Sequence, residues 1–203
     1  MRVAVSYCTQ ASLSMHRPVS RQMFIRPAGL FSAADQVALR EWSCVRTRPR
    51  WEKKFANWLA TFSDVDFFMP VLTRHTESGG KRREALVPLF PGYVFVGGRH
   101  GKGDFDRTGM VVYVLNPEGP QQVAQLHLEL AGVWHGLNSG CYVEPVHGLS
   151  AGEMCVIMRG PLEGQTARFE RVGRQGRVVL QVEMMGGGLV VDVPVADVAV
   201  PQS

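Results

Sequence analysis

The chain has 203 residues, 45% of them hydrophobic, and a formal net charge of +4, which is ample apolar material for one large core or two small ones. No run approaches the roughly 18 consecutive apolar residues of a membrane-spanning helix, and the N-terminus lacks the basic-then-apolar order of a secretion signal, so a soluble cytoplasmic protein is expected. Residues 1–40 hold five of the 22 basic and one of the 18 acidic side chains, leaving 17 of each sign in the remainder. A neutral remainder excludes a self-sufficient nucleic-acid binder, because each neutralised phosphate adds roughly 0.9 to the salt slope and needs a concentrated basic surface.

Residues 1–38 show no sustained period and are punctuated by Pro18, Pro27 and Gly29. They are expected to be a poorly ordered extension, either a basic arm or a segment with no role. Residues 41–47 (EWSCVRT) read as a short strand, and Pro49 is placed to open a helix at its first turn. That helix carries Trp51, Phe55, Trp58, Leu59 and Phe62 on one stripe, with Lys53, Lys54 and Asn57 opposite. Residues 66–73 (DFFMPVLT) read as a strand that Pro70 assigns to an edge or bulge. A polar hairpin tip follows at 76–83, with Gly79-Gly80 and the basic triplet Lys81, Arg82, Arg83.

Residues 84–89 return as a strand and lead into PLFPGYVFV at 88–96, a proline-bracketed turn running into alternating Tyr93, Val94, Phe95 and Val96. Its aromatic residues can pack a core or meet a partner, since alternate strand residues face opposite sides. The glycine-rich stretch 97–103 lacks the G-x-x-x-x-G-K-[ST] order of a phosphate loop. A helical turn at 104–107, a strand at 110–115 and a helix over 121–137 complete the unit; Val123, Leu126, Leu130, Val133, Trp134 and Leu137 share one face of that helix. Residues 40–137 thus predict an α+β domain with a mostly antiparallel sheet flanked by helices.

A linker is expected at 138–150, where glycines, a proline and polar residues break both periods. Residues 151–203 change to short β-type runs at 154–158, 167–172, 177–184 and 189–193, the spacing of a small barrel or sandwich.

No catalytic constellation emerges. The six histidines form no H-E-x-x-H or other ligand cluster, His127 and His135 stand eight apart, and G-x-S-x-G is absent. The four cysteines are scattered, which suggests reduced thiols rather than a disulfide framework or metal knuckle. No enzyme activity, metal or cofactor is expected. Two basic groups stand beside aromatic residues: Arg46, Arg48, Arg50, Lys53 and Lys54 at the first helix, and Lys81, Arg82 and Arg83 at the hairpin tip. Each can equally be a solvated face.

Trp42 with Val45, the Arg48-Pro49-Arg50-x-Glu52 helix start, PLFPGYVFV, and GEMCVIMRGPLEGQTARF at 152–169 together resemble the NusG family of transcription elongation factors. Their order resembles a NusG N-terminal domain followed by a KOW domain, an SH3-like β-barrel. The resemblance implies a non-enzymatic elongation or antitermination factor that binds RNA polymerase, with Phe90, Tyr93 and Phe95 at the polymerase-binding positions. It places Arg48, Arg50, Lys53, Lys54, Lys81, Arg82 and Arg83 near upstream or non-template DNA, in weak contacts that tethering makes sufficient.

For the KOW domain the resemblance implies a second partner, termination factor Rho or a small-subunit ribosomal protein, engaged by Met184, Met185 and Gly186. The extension and the PLFP form of the motif resemble specialised paralogues such as RfaH and the polysaccharide-locus antiterminators more than the general factor. Some relatives of this kind refold the second domain as a helical hairpin. Gly186 to Gly188 and the valine-rich runs disfavour that here, at about 1 kcal/mol per interior glycine. A monomer without membrane contact is expected. A ribosome-associated KOW protein and a general NusG-type factor coupling to Rho are the alternatives.

Overall fold

The computed structural model describes residues 23–26, 31, 39–78, 81–139, 143–147, 152–172 and 175–199. The first sheet contains β1 (Met23–Arg26), β2 (Trp42–Thr47), β3 (Phe67–Ser78), β4 (Lys81–Pro88), β5 (Tyr93–Gly97) and β6 (Val111–Leu115). Its order is β1-β3-β5-β2-β6, with β4 paired to β3, and its described pairings are all antiparallel. Two α-helices, α1 (Glu52–Leu59) and α2 (Gly119–Asn138), and a 3-10 helix at Lys102–Thr108 accompany it. The second sheet contains β7 (Val143–His147), β8 (Glu153–Ile157), β9 (Thr166–Val172), β10 (Gln175–Val182), β11 (Gly187–Val193) and β12 (Val198–Ala199), with 3-10 turns at Glu183–Met185 and Val195–Asp197.

Strand alternation sorts the first sheet's side chains between two cores. On one face Val45, Val94, Val96, Phe67, Met69 and Val71 meet Phe55, Ala56 and Leu59 of α1, joined by Phe105 of the 3-10 helix. On the other face Trp42, Cys44, Phe68, Phe90 and Phe95 join a larger cluster with α2 and with Cys155, Val178, Leu180, Leu189 and Val191 of the second sheet.

Helix α2 lies within that second core. Leu126, His127, Leu130, Ala131, Gly132, Val133, Gly136 and Leu137 are all buried, a wider surface than one stripe against one sheet provides. The extra coverage comes from β10 and β11. A Cβ added to Gly136 would stand 2.7 Å from Leu180 Cδ1 and 3.5 Å from both Leu189 Cδ1 and Val191 Cγ2. Buried His127 is also satisfied: its Nδ1 accepts the Trp42 indole N–H at 3.3 Å and the Arg40 backbone N–H at 3.4 Å.

Several features differ from the sequence expectation. Helix α1 begins at Glu52 instead of at Pro49, because Arg50 adopts φ 67° and breaks the helical path between proline and helix. The hairpin tip is shorter than 76–83, since β3 and β4 stay paired to Ser78 and Lys81. Within the 1–38 extension, β1 pairs with β3 and Phe31 is buried against Trp42 and Phe68; the rest of that segment lies outside the described residues. Within 138–150, Val143–His147 pairs with β11.

The second sheet runs β12-β8-β9-β10-β11-β7, so its outermost strands, β12 and β7, do not pair with each other and the sheet is open. From Gly152 onward the described residues contain strands and 3-10 turns and no α-helix. The α+β class and the antiparallel first sheet agree with the sequence; a closed SH3-like barrel does not appear in the strand pairing.

Substituting Gly136→Leu forces a side chain into the Leu180, Leu189 and Val191 contact. Overpacking of this kind costs about 1–3 kcal/mol. Small-angle scattering should show a larger radius of gyration than wild type with the far-ultraviolet circular dichroism unchanged.

Candidate functional site

The turn at 89–92 is held on every side. Leu89 N–H donates to Pro70 O at 2.8 Å and Tyr93 N–H donates to Phe90 O at 3.0 Å. Gly92 stands at φ +84°, a backbone conformation that favours glycine, and a Cβ there would push the Arg46 guanidinium, 2.5 Å away at Nη1, aside. Its carbonyl accepts Thr47 N–H at 2.8 Å. Its own N–H donates to Glu52 Oε1 at 2.7 Å. Glu52, at the first turn of α1, is 7% exposed, so its carboxylate ties that helix directly to the turn.

Beyond the turn, two rows of side chains cross the sheet on the face away from α1. The outer row is Tyr93, Arg46 and Tyr113, aligned by the β5-β2-β6 register. The Arg46 guanidinium donates to Pro91 O at 2.8 Å and lies 4.7 Å from the Tyr93 ring centroid. The two tyrosine hydroxyls are 2.9 Å apart. Burial first, and the Tyr113 hydroxyl second, raise the Tyr93 phenol above its ordinary range. The inner row is Phe95, Cys44 and Leu115.

Phe95 and Cys44 of the inner row lie under the second sheet, while Leu115 at its end is exposed. Met184 Sδ is 3.7 Å from Cys44 Sγ, and Met184 and Met185 both join the cluster that contains Phe90 and Phe95. A small cavity of about 60 Å³ marks the seam, lined by Leu89, Phe90, Pro91, Tyr93, Met185, Gly186 and Gly187. Burial, helped by the charge of Glu129, pushes the Cys44 thiol up to about 12. It is therefore a protonated, inert packing group at neutral pH.

The sequence-predicted residues are thus divided by the fold. Phe95 is fully buried and Phe90 is 4% exposed, their rings in edge-to-face contact at 5.5 Å; of the three aromatic positions, Tyr93 alone reaches the surface in this conformation. Met184, Met185 and Gly186, predicted to meet a second partner, instead face Cys44, Phe90 and Tyr93. At the start of α1, Arg48 and Lys54 are exposed and stand over the Trp51 ring, 5.7 and 4.3 Å from its centroid. Arg50 is exposed beside them. Lys53 is half-buried and donates to Leu86 O at 2.6 Å. Arg83 is exposed on β4, whereas the side chains of Lys81 and Arg82 lie outside the described ones. Among the described residues no three His, Cys, Asp or Glu side chains gather as metal ligands.

The stretch from the end of the extension through the first half of α2 decides the family. Residues 40–126 match the family model described as NusG, transcription termination factor nusG. These residues form a NusG-type domain. No curated protein matches the chain. The NusG domain supports a transcription elongation or antitermination-type factor in general terms; NusG family factors bind RNA polymerase and are not enzymes. Among the described residues no helix is long and apolar enough to cross a membrane.

Glu52 and Tyr113 carry more of this NusG site than sequence reasoning assigned them. Glu52 stood in the Arg48-Pro49-Arg50-x-Glu52 motif, but its hydrogen bond to a turn 40 residues away leaves no trace in local spacing. Replacing Glu52 with alanine strands the Gly92 N–H, and losing a hydrogen bond to a charged partner costs about 1.5–3 kcal/mol. Urea unfolding of Glu52→Ala should show that loss, and Glu52→Gln, which keeps an acceptor, should lose less.

Proposed function

We propose that this NusG-domain protein is a specialised elongation and antitermination factor that binds RNA polymerase through the face carrying Phe90, Tyr93 and Phe95, and that its second sheet is a KOW domain which covers that face when seated. The division runs 40–137 for the polymerase-binding domain, 138–150 for the linker, whose Val143–His147 adds a strand to the second sheet, and 151–203 for the KOW domain. The observation that carries this is the placement of Met184 and Met185 against the cluster containing Phe90 and Phe95, with Tyr93 and Tyr113 paired through their hydroxyls at the uncovered edge.

An apolar face made of aromatic rings suits a partner surface, because rigid aromatic anchors supply most of the energy in protein interfaces. Tyr113, Val112 and Leu115 of edge strand β6 are exposed, at 40%, 45% and 36%. They extend the covered face to solvent, so polymerase can engage the rim before the second sheet leaves. Arg48, Arg50 and Lys54 around Trp51, with Lys53, Lys81, Arg82 and Arg83, supply weak contacts to nearby upstream or non-template DNA once polymerase holds the chain.

Release of the second sheet frees Met184, Met185 and Gly186 for termination factor Rho or a small-subunit ribosomal protein; methionine adapts readily to such a surface. The factor acts as a cytoplasmic monomer.

Retention of the full chain on immobilised core RNA polymerase tests this. Wild type should be retained. Tyr93→Ala with Tyr113→Ala should weaken retention about tenfold or more, since a lost aromatic anchor costs on the order of 2 kcal/mol, while the circular dichroism stays unchanged. Failure of wild type to bind, or full binding by the double variant, would sink the proposal.

A further inference from the structure

The seam between α2 and the 3-10 turn at Glu183–Met185 encloses a cavity of about 220 Å³, lined by Gln122, Gln125, Leu126, Glu129, Glu183 and Met184. Two carboxylates face each other across it. Glu129, half-buried on α2, accepts the Glu183 backbone N–H at 3.2 Å. The Gln125 side-chain amide donates both to Glu129 Oε1 at 3.0 Å and to Glu183 Oε2 at 2.9 Å, bridging the first domain to the turn that carries Met184.

The other charged or titratable groups here are few. Arg168 of β9 places Nη2 3.6 Å from Glu183 Oε1. The buried Cys44 thiol of β2 stays protonated. Gln122 and Gln125 are neutral. No described ion pair engages Glu129, so an ionised carboxylate at this position is desolvated next to a second anion.

We propose that Glu129 is a proton-dependent latch on the second sheet: with its proton in place the seam stays closed over α2, and with the proton lost the facing carboxylates loosen the turn that covers Cys44 and Phe90. Burial pushes the Glu129 carboxyl up to about 7, with the Glu183 charge adding to it and the Gln125 and Glu183 N–H donors opposing. Once the seam opens, water reaches Glu129 and its affinity for the proton falls back towards the ordinary 4.5. A group whose closed-state pKa is raised favours closure fully below its open-state value and loses that contribution as pH climbs. Closure therefore weakens between about 4.5 and about 7, by at most about tenfold in the closing equilibrium per pH unit for one proton.

The consequence for transcription rests on the covered face being the polymerase-binding surface. The latch is a property of the chain alone, so its test needs no polymerase and can fail independently of that proposal.

Small-angle scattering of the full chain from about pH 4 to about pH 8 reads the seam directly. Wild type should expand as pH rises, and Glu129→Gln, which keeps the size and one of the two acceptor oxygens without the charge, should stay closed throughout. Circular dichroism checks that each variant is folded. Should Glu129→Gln fail to fold, Glu183→Gln serves in its place: removing the facing anion should reduce the expansion at high pH. A wild-type radius that does not change with pH, or a folded variant that expands as wild type does, would overturn the latch.

Discussion

Helix α2 has more apolar surface than one sheet can cover, and the arrangement of the chain follows from that. Leu126, Leu130, Val133 and Leu137 are buried in a core to which both sheets contribute, and Gly132 and Gly136 bring Leu180 of the second sheet close to the helix backbone. Each fully buried leucine or valine contributes about 1.5–3 kcal/mol, so leaving one side of the helix in water would be expensive. Seating β10 and β11 on α2 delivers the turn between them onto the neighbouring sheet face. Met184 reaches Cys44 because its two flanking strands are packed on the helix.

The face that receives this turn is built by a second constraint. Gly92, lacking a side chain, takes its positive φ and leaves room for the Arg46 guanidinium, and Glu52 and Thr47 then fix its N–H and carbonyl. With the turn fixed, strand alternation sends Val94 and Val96 toward α1 and Tyr93 and Phe95 the other way. The aromatic face is therefore a rigid consequence of the turn, and the second sheet caps a surface that is already formed. A preformed surface under a separable cover suits alternative partners, because exposing it does not require refolding.

Much of this was legible in the residues. The alternation of β5 and most of the α1 stripe obey periods that local sequence displays; Phe62, expected on that stripe, lies past the end of α1 and is exposed. The turn signal of Leu89 to Gly92 was equally local. What stayed hidden depends on distant partners. Phe95 reads as interface or core with equal ease until Met184 and Met185 are seen beside its cluster. The apolar residues of α2 predicted one buried face, and only the second sheet explains why Gly136 and Ala131 are buried too. Val143–His147 contains a proline and few apolar residues, so its strand arises from the free edge of β11 more than from its own propensity. Glu129 stands in no motif, and the backbone N–H it accepts belongs to Glu183, which lies 54 residues further along the chain.

The central claim is that the seated second sheet hides the surface with which this NusG-domain protein holds RNA polymerase. The most direct measurement is the equilibrium affinity of core RNA polymerase for the intact wild type and for Gly136→Leu, in which the second sheet is forced off α2 without altering Phe90, Tyr93 or Phe95. Tighter binding by Gly136→Leu is expected. Equal or weaker binding by a folded Gly136→Leu protein whose radius of gyration confirms the release would contradict masking.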